Sequence, residues 1–595
     1  MGNFFTDNDD IRFLLNSMDL GALAELTEEN YKFAGEFDYA PASGEEAASN
    51  YMMVMNSLGE LCADFIAPRS EEMDRQGNKL TEDGVVIRPD GMYEILDKLA
   101  KAEVMGMTLP HRFGGLNFPS LILSVANEMI SRADASLMNI FGLQGIAETI
   151  NAFASEEIKQ QYLYKLASGE HTGAMVLTEP DAGSDLQVCK VKAFQDADGQ
   201  WYVHGVKRFI TNGCGEVLLI MARSEADRSD GLGLSLFVCE NGPTVHIRRI
   251  EDKMGIHASP TCEIFFDNTP VQLVGETRRG LVTYVMALMN GARVGISAQG
   301  LGIGEAAYRI ARDYAASREQ FGGPIEHLPA VRDLVIDMKI DVEESRALLY
   351  ETCRVVDNEI GLAKITDGDY DADKKKEAKQ KLRMIKRYAA MLTPMSKYLS
   401  SEMSNKVAYN SIQVLGGSGF MRDYACERYY RDARITSIYE GTSQLQIVAA
   451  VRGVCNGTAE KYIEELAAFA YEDSCAPLIE ILKGSTETMV KCVAYIKEQG
   501  VEYMDLYGRN IVDIAIKIIC GYLFLQQASS KFDLETAVDN NGKKVSMKAR
   551  KAKIARRYIT KNAPVIEALA QQILSNDKSS FDEYYELAGA VPELG

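Results

Sequence analysis

The order of apolar and polar positions changes character twice along the chain. From about residue 50 to 173, apolar residues recur at three- and four-residue steps, as between Ile158 and Leu166, which predicts amphipathic helices. Between residues 174 and about 275, short β-type runs follow one another, separated by turn residues such as Asp198-Gly199. These runs are 191–194, 201–210, 217–222, 234–239 and 262–266. They predict a small antiparallel sheet domain.

Helical patterning returns near residue 280 and continues to the end. Six apolar residues spaced by three or four positions predict a bundle helix: Leu382, Ile385, Tyr388, Leu392, Met395 and Leu399. After Asn456-Gly457 a further helical segment begins, whose apolar run from Ile511 to Leu525 is too short to span a bilayer and predicts a buried helix. Its basic stretch, Lys548 to Arg557, is typical of a solvated face or of a contact with an acidic surface.

These changes predict a multidomain α+β protein. The acidic first residues, with few apolar pairs, are typical of a partly ordered arm. The expected segments are an arm over 1–49, a helical domain over 50–173, a β domain over 174–280, a helical bundle over 281–455, and a helical extension over 456–595.

Composition and charge narrow the class of protein. A chain of 595 residues is too long for a single core, and its net charge of -21 argues against nucleic acid or an anionic membrane as the main partner. The eleven cysteines form no CxxC pair and the six histidines do not cluster, so no metal site is predicted. Scattered thiols and the lack of a secretory signal pattern predict a reducing, cytoplasmic location.

The loop at residues 438–444, Ile-Tyr-Glu-Gly-Thr-Ser-Gln, carries the strongest chemical signal. It places one carboxylate, Glu440, beside a glycine and two hydroxyls. Glycine lets the backbone approach a ligand closely, and burial raises the proton affinity of a carboxylate toward neutral pH. A Glu-Gly turn is more often only a turn, so the other polar stretches decide the interpretation.

Four such stretches accompany this loop, and each has an ordinary structural explanation when taken alone. Residues 177–185 offer hydroxyls and backbone amides to a flat, phosphate-bearing cofactor. Phe209 and Thr211 share one face of a predicted strand end. Arg318 and Phe321 follow a long helix and could bind pyrophosphate and a purine. Residues 413–420 form a glycine-rich turn between helices, which excludes a Rossmann loop.

All five elements occur in the order found in one family, and over residues 50–455 the chain resembles the acyl-CoA dehydrogenases. The resemblance implies an N-terminal helical domain, a small β domain, a C-terminal helical bundle, and FAD bound at their junction and across a subunit interface. Residues 253–262 and the extra C-terminal helices resemble the larger bacterial subgroup.

The resemblance also implies a role for each matching residue. Glu440 would be the catalytic base, since Ala292 stands where some members carry it instead. The FAD-binding residues would be Met175, Val176, Leu177, Thr178, Ser184, Phe209, Ile210, Thr211, Arg318, Phe321, Gln413, Gly416, Gly417, Thr442 and Gln444. Arg318, Phe321, Gln413, Gly416 and Gly417 would serve the cofactor of a neighbouring subunit. The acyl-CoA would contact Ser184, Asn290, Arg293 and Gly441.

The chain departs from the family pattern at two positions within these motifs. Phe209 stands where tryptophan is frequent, which would alter the exposure of the flavin. Pro329 replaces a glutamine that often binds FAD, and it has no side-chain donor.

The expected activity is α,β-dehydrogenation of an acyl-CoA thioester, with electrons passing from FAD to an electron-transferring flavoprotein in a homodimer or a dimer of dimers. Two alternatives are an acyl-CoA oxidase that uses oxygen and a non-catalytic flavoprotein that binds acyl-CoA. The sequence leaves the acyl group open.

Overall fold

The computed structural model describes residues 2–538 and 542–593. The chain divides into two compact units, the first running to Leu382 and including Ser396–Ser443, the second comprising Arg383–Met395 and everything from Gln444 onward. The helices up to residue 443 are α1 (Asp9–Ser17), α2 (Leu20–Thr27), α3 (Gly44–Leu61), α4 (Ser70–Gln76), α5 (Asp90–Lys101), α6 (Ser120–Ala133), α7 (Ala135–Leu143), α8 (Ile146–Phe153), α9 (Glu156–Ser168), α10 (Met286–Ser317), α11 (Pro329–Asp367), α12 (Ala372–Leu415) and α13 (Cys426–Thr436).

The N-terminal residues are more ordered than their composition predicts. Phe13, Leu14 and Leu15 of α1 are buried, and Asn8 caps the helix by accepting a hydrogen bond from the amide of Ile11 (3.3 Å). The carboxylate of Asp10 accepts a 2.6 Å hydrogen bond from buried Arg346 of α11. The expectation of a partly ordered arm was therefore wrong for α1 and α2, because the burial of a charged partner cannot be seen in local composition.

The middle of the chain forms one seven-stranded sheet that closes on itself. The strands among the described residues are β1 (Lys79–Leu80), β2 (Val86–Ile87), β3 (Gly173–Val176), β4 (Lys192–Gln195), β5 (Trp201–Thr211), β6 (Val217–Arg223), β7 (Leu234–Glu240), β8 (Val245–Ile250), β9 (Thr261–Val274), β10 (Glu319–Gln320), β11 (Gly323–Pro324), β12 (Glu535–Ala537) and β13 (Lys544–Ser546). The order is β3-β6-β4-β5-β9-β7, with β8 on β9 and β7 also on β6. Most pairs are antiparallel, but β3 runs parallel to β6.

Strand β6 shows why this sheet is buried on both faces. Alternate residues enter two separate apolar clusters, one shared with helices α8 and α9 and one enclosed by the strands. Leu219 and Met221 lie in the first cluster, and Leu218 and Ile220 in the second. A strand with two buried faces has a continuous apolar sequence, as this one does.

The five predicted strand runs are found, with β9 much longer than its predicted core. Strands β3 and β8 were missed because β3 is only four residues long and β8 alternates with exposed arginines. A register shift between Lys207 and Ile210 interrupts β5, and Phe209 adopts a positive φ of 61° there. The simple alternation that put Phe209 and Thr211 on one face is therefore broken by a bulge.

The second unit is helical, with one small hairpin of β12 and β13. Its helices are α14 (Ser443–Cys455), α15 (Thr458–Ala467), α16 (Ala476–Gln499), α17 (Val501–Leu506), α18 (Gly508–Ala528), α19 (Met547–Leu574), α20 (Ser579–Asp582) and α21 (Tyr584–Ala588). Helix α18 packs against α15, α16 and α19.

Two helical segments, Gly280–Ser317 and Gly508–Ala528, pass a test for membrane spans based on length and composition alone. Helix α18 has 21 residues and is longer than predicted, but its most apolar stretch is 83% buried inside the protein. The prediction of a buried helix is confirmed. The burial of this helix argues against a membrane span, and its length, which is greater than predicted, does not.

Candidate active site

Glu440 lies in the loop between α13 and α14 in a conformation that costs energy. Its φ is 53° and that of Gly441 is 91°. Only the second position carries a residue that adopts this region freely, so the surroundings must hold Glu440 in place.

Two contacts anchor the loop on either side of Glu440. The hydroxyl of Tyr439 hydrogen-bonds Gln299 of α10 and the side-chain oxygen of Asn139 of α7 (3.0 Å). The ammonium of Lys397, on α12, donates a 2.7 Å hydrogen bond to the carbonyl oxygen of Gly441. Tyr439 and Lys397 thus fix the backbone immediately before and after the carboxylate.

Burial and the neighbouring charges have opposite effects on the pKa of Glu440. Burial raises the pKa of Glu440 to about 7, although the cations of Lys397 and Arg293 act in the opposite direction. Burial also lowers the pKa of Lys397 to about 7, while Glu440 opposes that change. A carboxylate whose pKa lies near the working pH can take a proton in one step and release it afterwards.

Arg293, on α10, faces the same site. Its Nη1 donates a 3.2 Å hydrogen bond to Asn290, and its Nε is buried without a hydrogen-bond partner among the described residues. Burial lowers the pKa of Arg293, and the charge of Glu440 raises it. A buried guanidinium with an unpaired donor can accept a polar group of a ligand.

The cofactor residues predicted on the β domain fall into two groups. The side chains of Val176, Leu177 and Ile210 are buried in the apolar clusters, while Met175 of β3 is partly exposed. The carbonyl oxygen of Leu177 already accepts a 2.7 Å hydrogen bond from Lys207. Any cofactor contact at the three buried positions would therefore involve the backbone.

The second group presents unused hydroxyls and a half-exposed ring, that of Phe209, with the guanidinium of Arg208 4.6 Å from its centroid. The hydroxyls of Thr178, Ser184 and Thr211 make no hydrogen bond to any residue that the structure describes. Phe209 is 50% exposed at the end of the same strand as Thr211. Three available hydroxyls and an exposed aromatic ring fit the polar edge and the face of a flavin.

Sequence reasoning missed the ion pair that holds the loop carrying Thr178 and Ser184. Buried Lys207 donates to Glu179 (2.9 Å), and Glu179 also accepts from the backbone amides of Lys190 and Val191. The alternating pattern of β5 should have shown Lys207 at a buried position, since a lysine there requires a partner.

The residues predicted to serve a neighbouring subunit are all exposed. Arg318 follows the last residue of α10, Phe321 is 91% exposed in the β10–β11 turn, and Gln413 lies near the end of α12. A Cβ added to Gly416 or Gly417 would meet nothing within 4 Å. A hydrogen bond between Tyr314 and Ser418 (3.3 Å) joins the end of α10 to this glycine turn.

Thr442 is partly exposed, and Gln444 is exposed near the start of α14. Among the residues that the structure describes, no group of three or more His, Cys, Asp or Glu could hold a metal ion.

Family models match nearly the whole of this arrangement. The N-terminal domain of acyl-CoA dehydrogenase matches residues 49–170, the middle domain 174–269, and the C-terminal domain 279–367 and 370–455. A further model, described as acyl-CoA dehydrogenase C terminal, matches 455–558.

Individual proteins with similar sequences or structures are also acyl-CoA dehydrogenases. An acyl-CoA dehydrogenase of Bacillus subtilis is 33% identical over 62% of this chain and 90% of its own length. Butyryl-CoA dehydrogenase from Megasphaera elsdenii is 27% identical, with a TM-score of 0.58 over 68% of this chain and 96% of that one. An FAD complex of an acyl-CoA dehydrogenase from Bacillus anthracis has a TM-score of 0.72 over 92% of both chains at 21% identity, which shows that the fold includes the C-terminal helices.

The fold and these matches define an FAD-dependent oxidoreductase. The chain belongs to the acyl-CoA dehydrogenase family.

Proposed function

We propose that this protein converts an acyl-CoA thioester to its 2-enoyl-CoA, with Glu440 as the base that removes the α-proton. One observation carries the proposal: a carboxylate with a pKa of about 7 is held in a strained loop beside the buried Lys397 and the partly buried Arg293. FAD held by the residues of the two sets described below would supply the acceptor for the hydride that leaves the β-carbon.

Removal of the α-proton requires stabilisation of negative charge on the thioester oxygen, because the carbon acid is weak. Backbone amides of the 440–441 loop are suited to this role, since Tyr439 and Lys397 fix their direction before substrate arrives. One well-aimed donor in a site without water contributes roughly 3 kcal/mol. Ser184, Asn290, Arg293 and Gly441 would bind and orient the acyl-CoA.

The residues of the chain would hold FAD in two sets. Thr178, Ser184, Phe209 and Thr211 would bind the cofactor of the same chain, together with the backbone at 175–177 and 210, and Thr442 and Gln444 would complete that set. The exposed set of Arg318, Phe321, Gln413, Gly416 and Gly417 would bind the cofactor of a second copy. Their exposure in one chain supports this assignment, and it predicts a homodimer or a dimer of dimers.

The proposed electron acceptor is an electron-transferring flavoprotein. An acyl-CoA oxidase remains the alternative that an experiment must exclude. The five segments predicted from the sequence and a cytoplasmic location are retained as proposals, and the eleven free cysteines agree with a reducing compartment.

An anaerobic titration with a panel of acyl-CoA thioesters tests the proposal and identifies the acyl group. Straight, branched, sulfur-containing and alicyclic acyl chains would each be added to the FAD-loaded protein while flavin absorbance is followed. At least one should bleach the flavin and yield the 2-enoyl product. Bleaching by none would contradict the proposed activity, and rapid reoxidation by air alone would favour the oxidase.

A further inference from the structure

Two cysteine thiols meet beside the end of strand β5, three residues beyond Thr211. Cys262 is fully buried near the start of β9, where it pairs with Ile210 of β5. Cys214 follows β5 in a turn and is partly exposed. The chain passes so close that a Cβ added to Gly213 would stand 2.9 Å from the Cβ of Cys262. Cys214 follows Gly213 directly, so the side chains of Cys214 and Cys262 are neighbours.

The surroundings favour ionisation of one of these thiols. A guanidinium nitrogen of Arg88 donates to the sulfur of Cys214 (3.7 Å) and to the side-chain oxygen of Asn212 (2.7 Å). The interaction with the thiol of Cys262, and then the charge of Arg88, lower the pKa of Cys214, whereas burial and the charge of Glu216 raise it. The interaction with Cys214 and burial raise the pKa of Cys262, while the charges of Lys253 and Arg88 act in the opposite direction.

The other cysteines provide the contrast. In seven of them burial is the first cause of a raised pKa: Cys62, Cys189, Cys239, Cys353, Cys426, Cys455 and Cys492. Cys214 therefore combines a thiolate-stabilising cation, partial exposure and an adjacent second thiol, which is the environment of an oxidisable cysteine.

We propose that Cys214 and Cys262 form a redox-sensitive pair that a peroxide converts to a disulfide. The Cys214 thiolate attacks one oxygen of hydrogen peroxide, the O–O bond breaks, and a sulfenic acid forms as hydroxide leaves and takes up a proton. The Cys262 thiol then attacks the sulfur of Cys214 and releases water. The peroxide is reduced to two molecules of water, and the two thiols are oxidised to one disulfide.

The disulfide would move a segment that matters for the proposed function. An S–S bond of about 2.05 Å is shorter than any contact between two thiols, so its formation draws the 212–214 turn toward β9. Asn212 in this turn donates to Thr172 (3.0 Å) and to the carbonyl of Gly173 (2.9 Å). An effect on FAD retention through Thr211 rests on the proposed function, whereas the disulfide itself does not.

The test is a thiol map of the FAD-loaded protein before and after hydrogen peroxide. The reduced, desalted protein is treated, denatured with an alkylating reagent, digested without reductant and analysed by mass spectrometry. A cross-linked peptide joining Cys214 to Cys262 should form before the other thiols are lost. The pair is refuted if Cys214 remains alkylatable, or if all thiols disappear together at the same rate.

Variants separate the roles of the two residues. Cys262→Ser should accumulate a sulfenic acid at Cys214 that dimedone traps, and Cys214→Ser should leave Cys262 alkylatable. Cys239→Ser, a buried cysteine of β7, should leave the cross-link unchanged. Arg88→Met should slow cross-linking about tenfold at pH 7 and much less at pH 9, since an ordinary thiol is only a few per cent ionised at neutral pH. An unchanged rate in Arg88→Met at pH 7 would contradict the role of Arg88, and a dimedone adduct at a different cysteine in Cys262→Ser would overturn the proposal.

Discussion

Replacing Lys397 by methionine should raise the pKa of the proposed base and move the pH dependence of flavin reduction. Lys397 is fully buried, donates to the carbonyl of Gly441, and lowers the pKa of Glu440 more than Arg293 does. Methionine has a similar length and no charge. The variant therefore removes the cation and the hydrogen bond with little change in packing.

The size of the shift follows from electrostatics. A unit charge about 6 Å from a carboxylate, at an effective dielectric constant of about 20, stabilises the ionised form by roughly 3 kcal/mol, or about two pKa units. Lys397 has a pKa of about 7 and is charged only part of the time at neutral pH. We therefore expect a shift of about one unit, from about 7 to about 8.

The assay is stopped-flow bleaching of the flavin by the preferred acyl-CoA without oxygen, from pH 6 to 9.5. A carboxylate accepts a proton only when ionised, so if Glu440 is the base the rate should rise with pH through its pKa. Lys397→Met should be about tenfold slower than the parent at pH 6 and should approach it above pH 9. Any difference in rate that remains at high pH would measure the effect of losing the hydrogen bond from Lys397 to the carbonyl of Gly441.

Two control variants test whether the shift comes from the charge of Lys397. Lys397→Arg keeps the charge and should return the midpoint toward that of the parent. Lys406, also on α12, is exposed and pairs with Asp341 of α11, so Lys406→Met should leave the profile unchanged. A midpoint that stays in place or falls in Lys397→Met would refute the electrostatic reasoning.

Three further predictions concern the cofactor, the N-terminal helices and the C-terminal unit. Arg318→Ala should weaken FAD retention, measured by flavin release on dilution, and full FAD occupancy in a demonstrably monomeric sample would contradict the shared site. Arg346→Met should lower the free energy of unfolding by about 3–5 kcal/mol in urea, because it removes the buried cation that pairs with Asp10, Glu128 and Glu305, whereas Arg75→Met at a surface pair should cost under about 1 kcal/mol. Deletion of residues 456–595 should cause aggregation or a changed oligomeric state before it changes the chemistry, and a soluble truncated protein with unaltered assembly and stability would argue against a structural role.

The fold class could be predicted from the sequence because helices and strands leave local signals, whereas the loop of Glu440 was singled out by its place in the order of five motifs along the chain. Helical periodicity and apolar strand runs can be recognised in any short window of the sequence. The order of α1 depends instead on Arg346, more than 300 residues away along the chain, and no local pattern contains that contact.

The contacts around the proposed base, Glu440, could likewise be predicted only in part from the sequence. Lys397 lies between Met395 and Leu399 of the apolar stripe of α12 and could have been recognised as a candidate for a buried cation. Its contact with Gly441 could not be predicted from the sequence. The same is true of the hydrogen bonds from Tyr439 to Asn139 and Gln299, because these contacts arise only when three helices pack against one loop.

The central claim, that Glu440 removes the α-proton, is tested most directly by Glu440→Gln. The amide keeps the size of the side chain and cannot act as a base, so the FAD-loaded variant should still bind acyl-CoA, seen as a shift of the flavin spectrum. Anaerobic flavin reduction should fall by more than about 1,000-fold. Glu402→Gln, which alters the nearby carboxylate that accepts from Ser443, should retain most of the rate. A Glu440→Gln variant that reduces its flavin within about tenfold of the parent rate would contradict the account.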